Sequence, residues 1–253
     1  MKGNEQKRRI RMILEYMGTR YAGWQWQDNA VTIQQVVEEA LGKITSLKSR
    51  ITASGRTDAG VHALNQPAHA DVETRMSDEE IMKAMNAVLP DDISVKEIKT
   101  VPEDWSARFS AKEKTYRYTI LNRVRPSVFE HGRVWHIKKT LEIDAMRKAA
   151  SLLVGEHDFT SFRSSGCAAK NPVRRLTTLD IDRDDDTIRL TFTANGFLKQ
   201  MVRNIVGTLV EAGRGKIAPD DVSTILGKRD RTEAGPCAPP YGLCLVDVVY
   251  DNN

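Results

Sequence analysis

The chain has 253 residues, 28% charged and 40% hydrophobic, which suits one large or two small globular domains, each with its own core. Lys and Arg number 38 against 34 Asp and Glu, so the net charge of +4 permits a nucleic-acid partner without demanding one. No stretch approaches the ~18 apolar residues of a membrane span. The basic start MKGNEQKRRIRMILEYMG holds too short an apolar run for a signal peptide, and Cys167, Cys237 and Cys244, with no Cys-x-x-Cys pair, point to a reducing cytoplasm.

Arg9–Glu15 alternates, with Ile10, Met12, Leu14 and then Tyr16 on one side, and predicts a strand with one buried face. Tyr16–Gln27 (YMGTRYAGWQWQ) is a loop rich in glycine and aromatics. It reads equally as a loop packed down by its own Trp and Tyr or as a loop that contacts RNA. Thr32–Thr45 carries Ile33, Val36, Val37, Ala40, Leu41 and Ile44 at helical spacing, with Thr32 and Gln35 as a capping box. Arg50–Ala53 predicts a short strand, and Ala68–Val72 another with Pro67 at its edge. Ser77 and Glu80 form a second capping box, opening a helix that carries Ile81, Ala84, Met85, Val88 and Leu89 and ends at Pro90. Ile93–Val101 alternates as a strand.

The second half reads alike. Lys112–Leu121 predicts a strand with Tyr116, Tyr118 and Ile120 on one face; Asp144–Val154 predicts a helix stopped at Gly155. Thr177–Ile181 and Thr187–Ala194 form a hairpin turning at Arg183–Asp186. Phe197–Gly213 predicts a helix with an apolar stripe of Leu198, Met201, Val202, Ile205, Val206, Leu209 and Val210, and Leu243–Val249 is a closing strand. The expectation is an α+β fold of two similar sandwich-like domains, 1–105 and 106–253, joined near Pro102–Ser110. Each is a mainly antiparallel sheet with helices on one face. The halves share an element pattern and no repeated residue motif.

The most informative stretch is Ile51–Gln66, ITASGRTDAGVHALNQ. Gly55 and Gly60 bracket Arg56 and Asp58 among small residues, the composition of a tight loop that holds one carboxylate toward something bulky. A cation two residues from a carboxylate suits a salt bridge or an anionic ligand. Asp58 could serve as nucleophile, general base or metal ligand; on a helix it could share a metal with His62, four residues on, although two ligands make a thin site. Arg203 stands at the edge of the apolar stripe, where an arginine commonly snorkels from a core helix. Tyr116 and Tyr118 on one strand face ordinarily mean core, and His157-Asp158 lacks a partner serine or cysteine and reads as structural. Asn171–Leu176 (NPVRRL) and Lys228–Arg231 (KRDR) are basic, solvated by default and second to that a phosphate contact.

GRTDAGVHA resembles the motif of the TruA-type tRNA pseudouridine synthases, and further matches run from Glu15 to about Val248. They include Lys114-Thr115-Tyr116-Arg117-Tyr118 and Phe197-Leu198-Lys199-Gln200-Met201-Val202-Arg203-Asn204-Ile205-Val206-Gly207. Met17 departs from the aspartate usual in that family. The resemblance implies a basic cleft between two domains, Asp58 as catalytic nucleophile, and Arg203 as its ion-pair partner. It implies that Arg56 enters the RNA in place of the flipped base, that Tyr116 stacks on the uracil, and that Leu243 lines the same pocket. Uridines at tRNA positions 38, 39 and 40 in the anticodon arm would be isomerised by a cytoplasmic homodimer, with no cofactor and no metal. A non-enzymatic RNA-binding module and a metal-dependent hydrolase using Asp58 and His62 are the alternatives from other classes.

Overall fold

A computed structural model describes residues 6–45 and 49–251 of the chain. The protein is mixed α/β, with mostly antiparallel strands, and divides into two compact units: Met1–Lys112 with Leu245–Asn253, and Glu113–Cys244.

In the first unit, β1 (Gln6–Tyr16) lies between β4 (Ile93–Val101) and β3 (His62–Thr74), and β10 (Leu243–Tyr250) adds on beyond β3. The short β2 (Thr52–Ala53) pairs with β3. Ile10, Met12, Leu14 and Tyr16 are buried, as the alternation predicts, and meet Ala68, Ala70 and Val72 of β3 in one core. Two helices complete it, α1 (Ile33–Thr45) burying Ile33, Val37 and Leu41, and α2 (Asp78–Val88) burying Ile81 and Met85. The Ser77–Glu80 capping box is complete, satisfying donors at both ends of the motif. The Thr32 box is half made: Thr32 Oγ1 accepts from Gln35 N at 3.3 Å, while the Gln35 side chain turns to Glu39.

Two expectations fail here for one reason. β3 is thirteen residues long and absorbs His62–Gln66, so Pro67 sits inside the strand opposite Ile13 rather than at its edge. Its carbonyl still accepts from Ser54 N at 2.8 Å. Between Leu14 and Tyr16 the β1–β3 register slips, two steps on β1 spanning three on β3. Such a bulge bends a strand and re-aims its side chains. It lies immediately after the Asp58 loop.

In the second unit the sheet order is β5 (Ala111–Asn122), β9 (Thr187–Ala194), β8 (Val173–Asp184) and β7 (Gly155–Asp158), with β6 (Trp135–Ile137) parallel to β5. The hairpin turns at Asp185, whose φ of +52° is one of the few left-handed positions outside glycine. Helix α3 (Ile143–Ser151) stops three residues before the predicted end, and Gly155, at φ +119°, opens β7. Helix α4 (Met201–Gly213) begins four residues after the predicted start at Phe197. Gln200 stands at φ +59° and Met201 N closes a tight turn on Leu198 O, so residues 197–200 make a turn that buries Leu198 without being helical. Every residue of α4 except Arg203 is buried. Helix α5 (Asp221–Lys228) follows.

Candidate active site

Asp58 lies in residues 54–61, which connect β2 to β3 without regular structure, so their geometry depends on what holds them from outside. Asp58 is half-buried and Arg56 exposed. From the β3 side, buried Gln66 donates to Gly55 O at 2.6 Å and meets Ser54 Oγ at 3.2 Å. On the other side stands the glycine-aromatic loop that follows β1. Trp24 N donates to Thr57 O at 3.0 Å, Gly60 N to Tyr21 O at 3.3 Å, and Gly18 N to His62 Nδ1 at 3.0 Å. The hydroxyls of Tyr16 and Thr57 meet at 2.9 Å.

The glycines of this loop make the contact possible. A Cβ on Gly18 would lie 1.9 Å from Val61 O, and one on Gly23, at φ +91°, 2.6 Å from Thr57 O. Both positions therefore require glycine for close backbone approach. Tyr16, Tyr21 and Trp24 are buried, so the loop is packed down by its own aromatics, while Arg20 is exposed. Tyr21 Oη donates to Asp92 Oδ1 at 2.7 Å, and burial with this bond pushes the phenol up to about 12.

His62 is not one helical turn from Asp58. It opens β3, is buried, and its Nδ1 is taken by the Gly18 N–H, so the helical spacing behind a shared metal does not exist. Among the described residues no three His, Cys, Asp or Glu side chains cluster as metal ligands.

The second unit carries its candidates on regular elements. Tyr116 is in β5 opposite Phe192, buried, with its ring edge-on to Phe197 at 5.2 Å. Arg203 is half-buried in the first turn of α4. Its Nε donates to Ala238 O at 2.8 Å, and Ala238 N donates back to Arg203 O at 3.0 Å. Leu243, buried, heads β10 just after a turn that Tyr118 braces. Tyr118 Oη donates to Pro239 O at 2.8 Å, and Gly242 fits because a Cβ there would strike the Tyr118 ring at 2.6 Å. Burial raises the Tyr118 phenol far above its ordinary value.

Two further candidate stretches are committed to structure. His157 Nε2 meets Val154 O and Asp158 Oδ1 accepts from Thr160 N and Oγ1, so the adjacent pair forms no dyad. The Lys228–Arg231 cations are largely spent internally: Lys228 pairs with Glu233 at 2.7 Å, Arg229 with Asp158 at 3.2 Å, and Arg231 donates to Asn204 Oδ1 at 3.0 Å. Sequence reasoning missed Tyr16, Thr57 and Gln66 as supports of the Asp58 loop. A buried glutamine in a strand and a glycine-framed aromatic loop were the available signals.

The tRNA pseudouridine synthase family model matches residues 12–110 and 149–251. The tRNA pseudouridine synthase A of Thermoanaerobacter sp. (strain X514) is 45% identical over 243 residues, covering 96% of this chain and all of that protein. The enzyme of the same name from Rhodospirillum rubrum is 46% identical, over 96% of this chain and 87% of its own. A solved Cbf5-Nop10-Gar1 complex aligns with 93% of this chain and 57% of its own at 11% identity and a TM-score of 0.35, too distant to assign a fold. With both long segments matched and relatives alike over nearly their whole length, the chain belongs to the tRNA pseudouridine synthases, isomerases that convert uridine to pseudouridine in tRNA.

Proposed function

We propose that this enzyme forms pseudouridine at positions 38, 39 and 40 of the tRNA anticodon arm, with Asp58 as nucleophile. The observation that carries the reading is the half-buried carboxylate of Asp58, held from both sides on its loop in a chain of this family. The carboxylate fixed in place attacks the nucleoside, the glycosidic C–N bond breaks, the base rotates, C5 bonds to C1′ and the carboxylate is released, while the C5 hydrogen leaves to solvent as a proton and N1 takes one up. Uridine and pseudouridine are isomers, one proton being lost at C5 and one gained at N1, so the reaction calls for no redox partner.

Arg203 serves as the cation for this carboxylate, and Tyr116 and Leu243 receive the uracil, since a base taken out of its stack needs an aromatic face. Arg56, exposed beside Asp58, occupies the gap that the base leaves in the RNA. The family resemblance supports a cytoplasmic homodimer whose subunits share one tRNA. Two measurements test the proposal. Tritium release from C5-labelled uridine in tRNA reports turnover, and pseudouridine mapping in tRNA from cells with and without the gene reports the positions. Loss of the modification elsewhere than 38 to 40 would overturn the positions.

A further inference from the structure

We infer that the Tyr16 hydroxyl is a positioning group for the reaction, setting Asp58 through Thr57. The inference rests on the reading of Asp58 as nucleophile. Four hydrogen bonds tie residues 57–62 to the β1 end and the glycine-aromatic loop: Trp24 N to Thr57 O, Gly60 N to Tyr21 O, Gly18 N to His62 Nδ1, and the Tyr16–Thr57 hydroxyl pair. Within the loop, Val61 N donates to Asp58 O at 3.1 Å, which closes the turn but leaves its orientation open. Thr57 is thus held twice, at its carbonyl by Trp24 and at its side chain by Tyr16, and it is the residue bonded directly to Asp58.

The Tyr16–Thr57 bond is the one of the four made by two side chains. Both residues are nearly buried, Tyr16 at 3% and Thr57 at 7% exposure, so neither hydroxyl can exchange its partner freely for water. The phenol is itself fixed. Tyr16 ends β1 opposite Ile93 on one side and Ala63 on the other, and its ring packs at 6.3 Å from Trp24. The register slip between Leu14 and Tyr16 falls where the ring must be aimed at the loop. A hydroxyl on a strand therefore anchors a catalytic loop that has no regular structure. Displacing a reacting group by about 1 Å can cost ~10²-fold in rate.

The test separates positioning from stability. Tyr16→Phe keeps the ring and removes the bond. At saturating tRNA its turnover, read by tritium release, should fall roughly 10- to 100-fold, with the tRNA dissociation constant changed by less than about 2-fold. That change also strands the Thr57 hydroxyl, so the double variant Tyr16→Phe with Thr57→Val, which removes both partners, should regain melting temperature. Turnover should stay low in the double variant, whereas Thr57→Ser should turn over much faster than Thr57→Val. Recovery of turnover together with melting temperature in the double variant would make the bond merely structural and overturn the inference. So would full turnover in Tyr16→Phe. Asp58→Asn measured in parallel keeps the two readings apart: an inactive Asp58→Asn beside a fully active Tyr16→Phe removes this inference alone, and an active Asp58→Asn removes the nucleophile assignment.

Discussion

The two units present their candidate side chains by different means. In the second, Tyr116 rides on a strand and Arg203 on a helix whose other residues are all buried, so backbone hydrogen bonding fixes both. In the first, Asp58 sits on irregular chain, and side chains reach across from β1 and β3 to hold it. A loop places a carboxylate where no strand or helix would, at the cost of needing a separate set of supports. Damage to the supports of these side chains should therefore read out differently: mainly as lost stability in the second unit, and as lost turnover in the first.

The largest effect is expected at the loop itself. Asp58→Asn is nearly isosteric and a poor nucleophile, so it should abolish pseudouridine formation while tRNA binding survives. Measurable turnover by the purified variant, with deamidation back to Asp ruled out, would contradict the assignment. Next comes a residue on a regular element. Tyr116→Phe should fold and bind tRNA yet lose activity by roughly 10²-fold, if the hydroxyl assists a proton transfer beyond the stacking of the ring. Full activity would leave only the ring in play.

How far the sequence reaches differs between the units as well. Periodicity marks β4 at its observed ends, and the buried face of β1 follows from spacing, as do Ile33, Val37 and Leu41 of α1 and Ile81 and Met85 of α2, whereas Val88 keeps the helical spacing and is exposed, and α4 is buried well beyond its apolar stripe. The start of α4 is misread because Leu198 continues the apolar period although Gln200 turns the chain left-handed, a conformation that hydrophobic spacing does not encode. Strands β6 and β7 are three and four residues long, too short to show an alternation. Asp58 is legible because glycines and small residues frame it locally. Its supports are not, since Tyr16 and Thr57 are 41 residues apart and only the folded sheet brings their hydroxyls together.

A smaller and more direct contrast comes from two glycines. A Cβ on Gly207 of α4 would lie 1.6 Å from Pro236 O, and one on Gly18 would lie 1.9 Å from Val61 O. In both cases the obstacle is backbone, which cannot swing aside. Gly207→Ala should push away the segment that bonds Arg203 through Ala238, costing about 1–3 kcal/mol. For a chain of this size each kcal/mol lowers Tm by roughly 2–4 °C. Gly18→Ala displaces the chain just after Asp58 and should reduce turnover more than a Gly207→Ala variant of equal Tm loss. Equal turnover at equal Tm, by melting and tritium release, would erase the difference between the units.

The smallest effect is a pH dependence at a second side-chain latch in the first unit. Irregular residues 102–110 are tied to the sheet by Ala107 N donating to His69 Nδ1 at 3.1 Å, Tyr250 Oη donating to Ala107 O at 2.7 Å, and Arg9 donating to Trp105 O at 3.0 Å. The His69 ring stands edge-on to Trp105, which packs on Tyr250. Burial, and then the positive charge of Arg9, lower the His69 pKa below its ordinary 6.5, while Asp71 opposes the shift weakly. A proton on Nδ1 would also face the Ala107 N–H, donor against donor. The sign follows from these directions. Above about pH 7 both folded and unfolded chains hold this histidine neutral, and its full contribution is present. As pH falls through 6.5 the unfolded chain takes up the proton first, so the unfolded state binds more protons and stability declines until the folded-state pKa is passed. Asp71, whose pKa Arg9 lowers from 3.8, loses its contribution only in stronger acid, outside this window. Urea unfolding at about pH 7 and about pH 5.5 should show a decline that His69→Gln, which retains an acceptor for Ala107 but cannot titrate in this range, reduces. An unchanged slope in His69→Gln would place the acid sensitivity elsewhere.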